Sequence, residues 1–272
     1  MPTHSTQTAA TPGNVYLVGA GPGAPDLLTV RALRLLESCD LVLHDDLVPD
    51  EVLALAGPQA EIVSVGKRCG KPRITQQGIH ELMIEGARAN RSVVRLKSGD
   101  PLVFGRAGEE LAALREASVP FEIVPGVTAA FAAGAALGLP LTDRTSASKL
   151  IFATGHHASS KDPAPVFEGA IPQDATLILY MPGRDMERLA QELRDGGLPP
   201  DTPCCAISHA ATPEQNYVSC RLHELEHLTP GTAPVLLLVG RAMEPMIAGP
   251  GNSLEADALL DEVIDRAATM LE

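Results

Sequence analysis

Five short runs rich in β-branched and aliphatic residues, "NVYLVG" (14–19), "DLVLHD" (40–45), "EIVSVG" (61–66), "SVVRLK" (92–97) and "FEIVPG" (121–126), are separated by helical patterns over 26–38, 75–90, 105–118 and 127–138. Strands that alternate with helices in this way pair by crossover, which specifies a mostly parallel sheet covered on both faces. The stretch "LPLTDRTSASK" around 139–149 is dense in turn and cap residues, and a second set of elements follows it. That set has strands at 150–155, 175–180, 203–208, 216–220 and 234–240, with one clear helix in "RDMERLAQELRDGG" stopped by Gly196 or Gly197. The reading is an α/β protein of two domains, 14–138 and 146–247, with a ligand cleft between them. An acidic tail helix is expected at 248–272, docked by one apolar stripe.

The first strand runs into "LVGAGPGAPDLLT", with Gly19, Gly21 and Gly23 spaced like a dinucleotide-binding turn. Pro22 and Pro25 stand where such a turn would already be entering its helix. Glycine lets a ligand come close to the backbone, and NAD, FAD, S-adenosylmethionine or simple strand-on-helix packing all satisfy that geometry. Asp45, at the end of the second strand, suits a ribose contact, a base, or an N-cap for a helix starting near Asp50.

The densest constellation is "RLKSGDPLVFGRAGEEL". Glu109 and Glu110 near a helix N-terminus are favoured by the macrodipole, whereas Arg106 opposes it and needs a carboxylate or a ligand, with Glu109 and Glu110 as internal candidates. "IVPGVTAA" repeats the strand, turn and helix arrangement, opening on Thr128 and Ala129. His156 and His157, adjacent on an extended segment, would point to opposite faces and do not make a metal site.

The net charge of −13 disfavours a nucleic-acid or anionic-membrane surface. It is uneven: residues 61–149 hold 12 Lys+Arg against 9 Asp+Glu, a basic island suited to an anionic small molecule. No apolar run approaches the roughly 18 residues of a membrane span. The N-terminus lacks the features of a secretory signal, and five cysteines without a C-x-x-C fit a reducing cytoplasm. The absence of G-x-S-x-G, of a Walker loop and of a cysteine with a spaced histidine removes the commonest hydrolase and NTPase readings.

Taken in order, "VYLVGAGPGAPDLLT", "SVGKR", "RLKSGDPLVFGRAGEE", "PFEIVPGVTAA", "GLPLTDR", "TGH" and "LYM" resemble the tetrapyrrole methylases over about Val15 to Arg241. The third block is most similar to the uroporphyrinogen-III C-methyltransferases within that family. The resemblance implies a homodimer of two-domain α/β chains with S-adenosyl-L-methionine in the interdomain cleft, released as S-adenosyl-L-homocysteine. It further implies methylation of uroporphyrinogen III at carbons 2 and 7, giving precorrin-2 via precorrin-1, with no metal and no nucleic-acid or membrane partner.

Carried over by motif, Pro22, Ser98, Gly99, Asp100, Val103, Thr128, Ala129, Met181 and Ala210 would surround the cofactor. Asp45 and Lys67 match the family's proton acceptor and donor, and Arg106, Glu109 and Arg144 match positions on the tetrapyrrole side. Arg106 is set with the catalytic residues, in the role of a substrate clamp, because guanidinium does not deprotonate in proteins. Ser98, Ala107 and the "YMPGRD" stretch at 180–185 depart from the family pattern, and Asp26 is displaced by Ala24-Pro25. With only 13 residues before the first strand, a stand-alone methyltransferase is expected. The alternatives are another precorrin methyltransferase of the same fold, a non-catalytic tetrapyrrole-binding homologue and a Rossmann NAD oxidoreductase.

Overall fold

The structure is a computed structural model that describes residues 9–66, 74–155 and 166–248. It divides into two compact units between Ala132 and Ala133, each built on a five-stranded sheet. The expected tail helix beyond 248 and the His156-His157 pair lie outside the described residues.

In the first unit β1 (Val15–Gly19), β2 (Leu41–His44), β3 (Glu61–Ser64), β4 (Val93–Lys97) and β5 (Phe121–Val124) alternate with α1 (Val30–Ser38), α2 (Asp50–Leu53), α3 (Gln76–Arg88) and α4 (Ala107–Glu116). Every pairing is parallel, in the order β3-β2-β4-β1-β5. Alternate side chains divide between the two faces. Tyr16, Val18, Val42, Val94 and Leu96 pack with Leu35 and Leu36 of α1 and Val52 of α2. Val15, Leu17, Leu41, Leu43 and Val93 pack with Met83 of α3 and with Leu111 and Leu114 of α4. Each such aliphatic side chain contributes roughly 1.5–3 kcal/mol when fully buried, so both helical layers are held by the same three central strands, β1, β2 and β4.

The first helix begins later than its periodicity suggests. Pro25–Leu27 forms a separate 3-10 turn, and Thr29 then caps α1 by accepting from the Ala32 amide at 3.1 Å. A cap side chain satisfies one of the orphan amides of a helix start, so the boundary follows Thr29. Thr75 does the same for α3 through the Gly78 amide.

The second unit is built on a mixed sheet. After α5 (Ala129–Ala136) come β6 (Lys149–Thr154), β7 (Ala175–Tyr180), α6 (Met186–Asp195), β8 (Pro203–Ser208), β9 (Asn216–Arg221), β10 (Val235–Val239) and α7 (Glu244–Ala248). The sheet order is β6-β7-β10-β8-β9, and only β6 and β7 are parallel. No helix separates β8 from β9, so these strands pair as antiparallel neighbours. Asp185 caps α6 and Gly197, at φ 88°, lies just past its end, next to Gly196. The helix seats Met186, Leu189 and Leu193 against Leu177, Leu179, Leu237 and Val239.

Cys39, Cys204, Cys205 and Cys220 are free thiols, the first three buried. Burial pushes the Cys39 thiol up to about 11 and the Cys205 thiol up to about 12. The thiolate is the reacting species, so at pH 8 both are expected to resist an aromatic disulfide reagent in the native protein and to react once guanidinium unfolds it. Equal rates in the two states, resolved by peptide mapping, would contradict this burial.

Candidate functional site

The chain leaves β1 through α1 on one face of the first sheet and leaves β4 through α4 on the other. The C-terminal ends of these neighbouring strands are therefore the topological switch point, where open α/β sheets take ligands. Three loops converge on it through glycines. Gly21 and Gly99, both at positive φ, pair as a bridge: the Gly99 amide donates to the Gly21 carbonyl at 2.7 Å and the reverse bond is 3.2 Å. A Cβ on Gly19 would stand 2.6 Å from Gly126 Cα and from the Gly99 carbonyl oxygen. The glycines thus admit one another's backbones, which accounts for a spacing that resembles a nucleotide turn.

Asp100 completes the convergence. One carboxylate oxygen accepts from the Leu102 amide at 2.8 Å and the other from the Gly126 amide at 3.0 Å. Its side chain is committed to joining the loop after β4 to the loop after β5. Pro22, Ser98, Gly99, Asp100, Val103, Thr128 and Ala129 all lie on these first-unit loops, with Thr128 buried. Met181 and Ala210 belong to the second unit, just past the ends of β7 and β8. Met181 has φ 49° and is 49% exposed, whereas Ala210 is buried between His209 and Ala211, both at positive φ.

Asp45 follows β2 and is not a helix cap: Pro49 occupies that position before α2. Its Oδ1 accepts from Arg95 Nη2, and the side chain is one-third exposed. Arg95 is itself buried on β4, with Nε donating to Glu110 Oε1 at 3.0 Å and Nη1 donating to the Leu43 and Leu96 carbonyls at 3.2 Å each. Glu110, fully buried on α4, also accepts from Lys97 Nζ at 3.1 Å. Burial lowers the Lys97 pKa, and the nearby Arg95 charge adds to this. Removing one partner of a buried pair of this kind typically costs about 3–5 kcal/mol, because the other charge is left without compensation.

Arg106 adopts the left-handed conformation, φ 57°, at the start of α4. Glu109 engages it with two bonds of 2.8 and 2.7 Å and raises its pKa, while Glu110 adds a smaller charge effect in the same direction. Arg106 and Glu109 are each about half exposed, so their bond is worth little net stability and is open to exchange. Arg144 is exposed on a turn held by the Asp143 carboxylate, which accepts from the amides and hydroxyls of Thr145 and Ser146. These four bonds hold the Asp143 carboxyl well below the usual range. Lys67 lies outside the described residues, as do Arg68, Lys71 and Arg73. Among the described residues the cations of the basic island do not form one surface patch: Arg95 and Lys97 are interior, Arg91 pairs with Glu61, and Lys149 pairs with Asp174.

Arg95, Lys97 and Glu110 were not anticipated as parts of the site. A signal was present in "VVRLK", where two cations two residues apart in a strand share one face. That face, if covered by a helix, requires a carboxylate on the helix, and Glu110 is that carboxylate.

An open parallel sheet with close-packed glycine loops and a carboxylate at its switch point defines a ligand-binding α/β enzyme scaffold. The model of the tetrapyrrole (corrin/porphyrin) methylases matches residues 14–226, and the chain belongs to that family. It is 43% identical over 254 residues to the S-adenosyl-L-methionine-dependent uroporphyrinogen III methyltransferase, chloroplastic, of Arabidopsis thaliana, covering 92% of this chain and 69% of that protein. It is 45% identical over 231 residues to a siroheme synthase of Psychrobacter, covering 84% of this chain, and it spans about half the length of that synthase. A crystal structure of the uroporphyrin-III C-methyltransferase of Thermus thermophilus, complexed with S-adenosyl homocysteine, superposes with a TM-score of 0.71 at 40% identity, covering 85% of this chain and 99% of the other.

Proposed function

We infer that this chain transfers methyl groups from S-adenosyl-L-methionine to carbons 2 and 7 of uroporphyrinogen III, giving precorrin-2 via precorrin-1, and works as a homodimer. The observation that carries the reading is the placement of Asp45, a partly exposed carboxylate held by a buried arginine, at the same strand ends as the glycine loops. The relatives' activities and the S-adenosyl homocysteine complex of the Thermus protein support it.

S-adenosyl-L-methionine supplies an activated methyl group, so the protein's part is alignment, proton handling and substrate recognition. The loops after β1, β4 and β5 offer backbone groups and small side chains at Pro22, Ser98, Gly99, Val103, Thr128 and Ala129, a surface a cofactor can approach closely. Asp100 acts by holding two of these loops together. Met181 and Ala210, at the ends of β7 and β8, are the cofactor-binding candidates of the second unit.

Uroporphyrinogen carries eight carboxylates, and a ring proton leaves after each transfer. Asp45 accepts that proton at Oδ2, which has no hydrogen-bond partner among the described residues, while Arg95 holds Oδ1. Lys67 is the proton donor. Arg106 remains a guanidinium under the influence of Glu109 and serves as a clamp: a substrate carboxylate replaces Glu109 in the same two-bond geometry. Arg144, exposed on its turn in the second unit, is the other cation proposed for substrate carboxylates.

The test is an anaerobic incubation with uroporphyrinogen III and isotope-labelled methyl donor, with the labelled positions read by NMR. Label at carbons 2 and 7 is expected. Label at other carbons would refute the regiochemistry, and no transfer from bound donor would refute the substrate.

A further inference from the structure

We propose that Glu110 is a positioning residue for the methyl-transfer site, acting through Arg95 to aim the Asp45 carboxylate and holding Lys97 away from it. The proposal rests on the reading of Asp45 as proton acceptor.

The side chains of Arg95, Lys97 and Glu110 are 3%, 4% and 0% exposed, against 33% for Asp45. Asp45 is therefore the one member of the set that meets solvent. Buried ion pairs are weak contributors to stability, since apolar residues of similar volume often stabilise a fold as well or better. A charged set inside a well-packed parallel sheet thus calls for a reason other than folding.

The geometry supplies one. Each nitrogen of the Arg95 guanidinium has an acceptor: Nε on Glu110, Nη1 on the Leu43 and Leu96 carbonyls, and Nη2 on Asp45. The plane of the fork is fixed, and with it the direction of the bond to Asp45 Oδ1. Glu110 Oε1 is shared with Lys97 Nζ, and Oε2 stands 3.0 Å from the same ammonium. Asp45 already acts electrostatically on Lys97. Without Glu110, the Lys97 ammonium would lose its counter-charge and turn to Asp45, the remaining carboxylate of the set, and Arg95 would lose the bond that sets its tilt.

The experiment compares Glu110→Gln, Asp45→Asn and the double variant in anaerobic single-turnover methyl transfer, with steady-state constants for the single variants and calorimetric binding of S-adenosyl-L-homocysteine. Glu110→Gln is expected to lower kcat about tenfold or more, with KM and cofactor affinity changed less than about twofold. The double variant is expected to be no slower than Asp45→Asn alone, because the Glu110 effect passes through Asp45. A merely structural role would make the losses multiply and would weaken cofactor binding, and either result overturns the proposal. An unchanged kcat in Glu110→Gln also overturns it while leaving Asp45 in place. Near-normal activity in Asp45→Asn overturns the underlying reading instead. If thermal melting shows that Glu110→Gln has lost its cooperative fold, Glu110→Asp, which keeps the charge but draws it back by one methylene, carries the same comparison.

Discussion

Asp45→Asn is expected to slow methyl transfer by about 10²–10⁴-fold, the usual worth of a positioned general base, while S-adenosyl-L-homocysteine still binds. The asparagine amide oxygen can accept the Arg95 Nη2 bond in place of Oδ1, so the loop after β2 keeps its shape. What the variant lacks is the second carboxylate oxygen, the one free to take a ring proton. Anaerobic single-turnover assays and calorimetry separate the two effects. Loss of rate with retained binding matches the account, whereas a normal rate would require another base.

Gly126→Ala is expected to lower unfolding free energy by about 1–3 kcal/mol and to abolish cofactor binding. A Cβ there would stand 2.3 Å from the Gly99 carbonyl oxygen and 2.9 Å from Gly19 Cα. Both neighbours are backbone, so no rotamer change relieves the clash, and the loops after β1, β4 and β5 must separate. Gly108→Ala is the control. A Cβ there meets nothing within 4 Å, its φ is not positive, and it lies within the first turn of α4. Restricting the unfolded chain at such a position stabilises by about 0.4–1 kcal/mol. Urea denaturation of the two variants should therefore shift in opposite directions. A shift in the same direction would mean that the glycine convergence is not what holds these loops together.

Much of the first unit is legible in the sequence because the central strands β1, β2 and β4, buried on both faces, are short apolar runs between helical stretches. The second unit was less so: apolar runs specify strands, but partner and direction depend on which connections carry helices. Here the insertion of β10 between β7 and β8 has no local signature. Asp45 was visible as an acid at a strand end, yet spacing could not separate a base from a cap. That distinction needs Pro49 at the cap position and Arg95 from a neighbouring strand. For Arg106 the helical spacing offers Glu109 and Glu110 alike, and the structure pairs it with Glu109. Glu110 belongs to a set spread over β2, β4 and α4, and the basic island concealed the fact that two of its cations face inward.

The most direct measurement is a side-by-side anaerobic transfer of labelled methyl groups to uroporphyrinogen III and to a precorrin already methylated at carbons 2 and 7, with methyl groups counted by mass spectrometry. The account predicts two methyl groups added to uroporphyrinogen III and none to the methylated precorrin. Methylation of the precorrin with uroporphyrinogen III left unchanged would contradict it and would assign the chain to a later methylation within the same family.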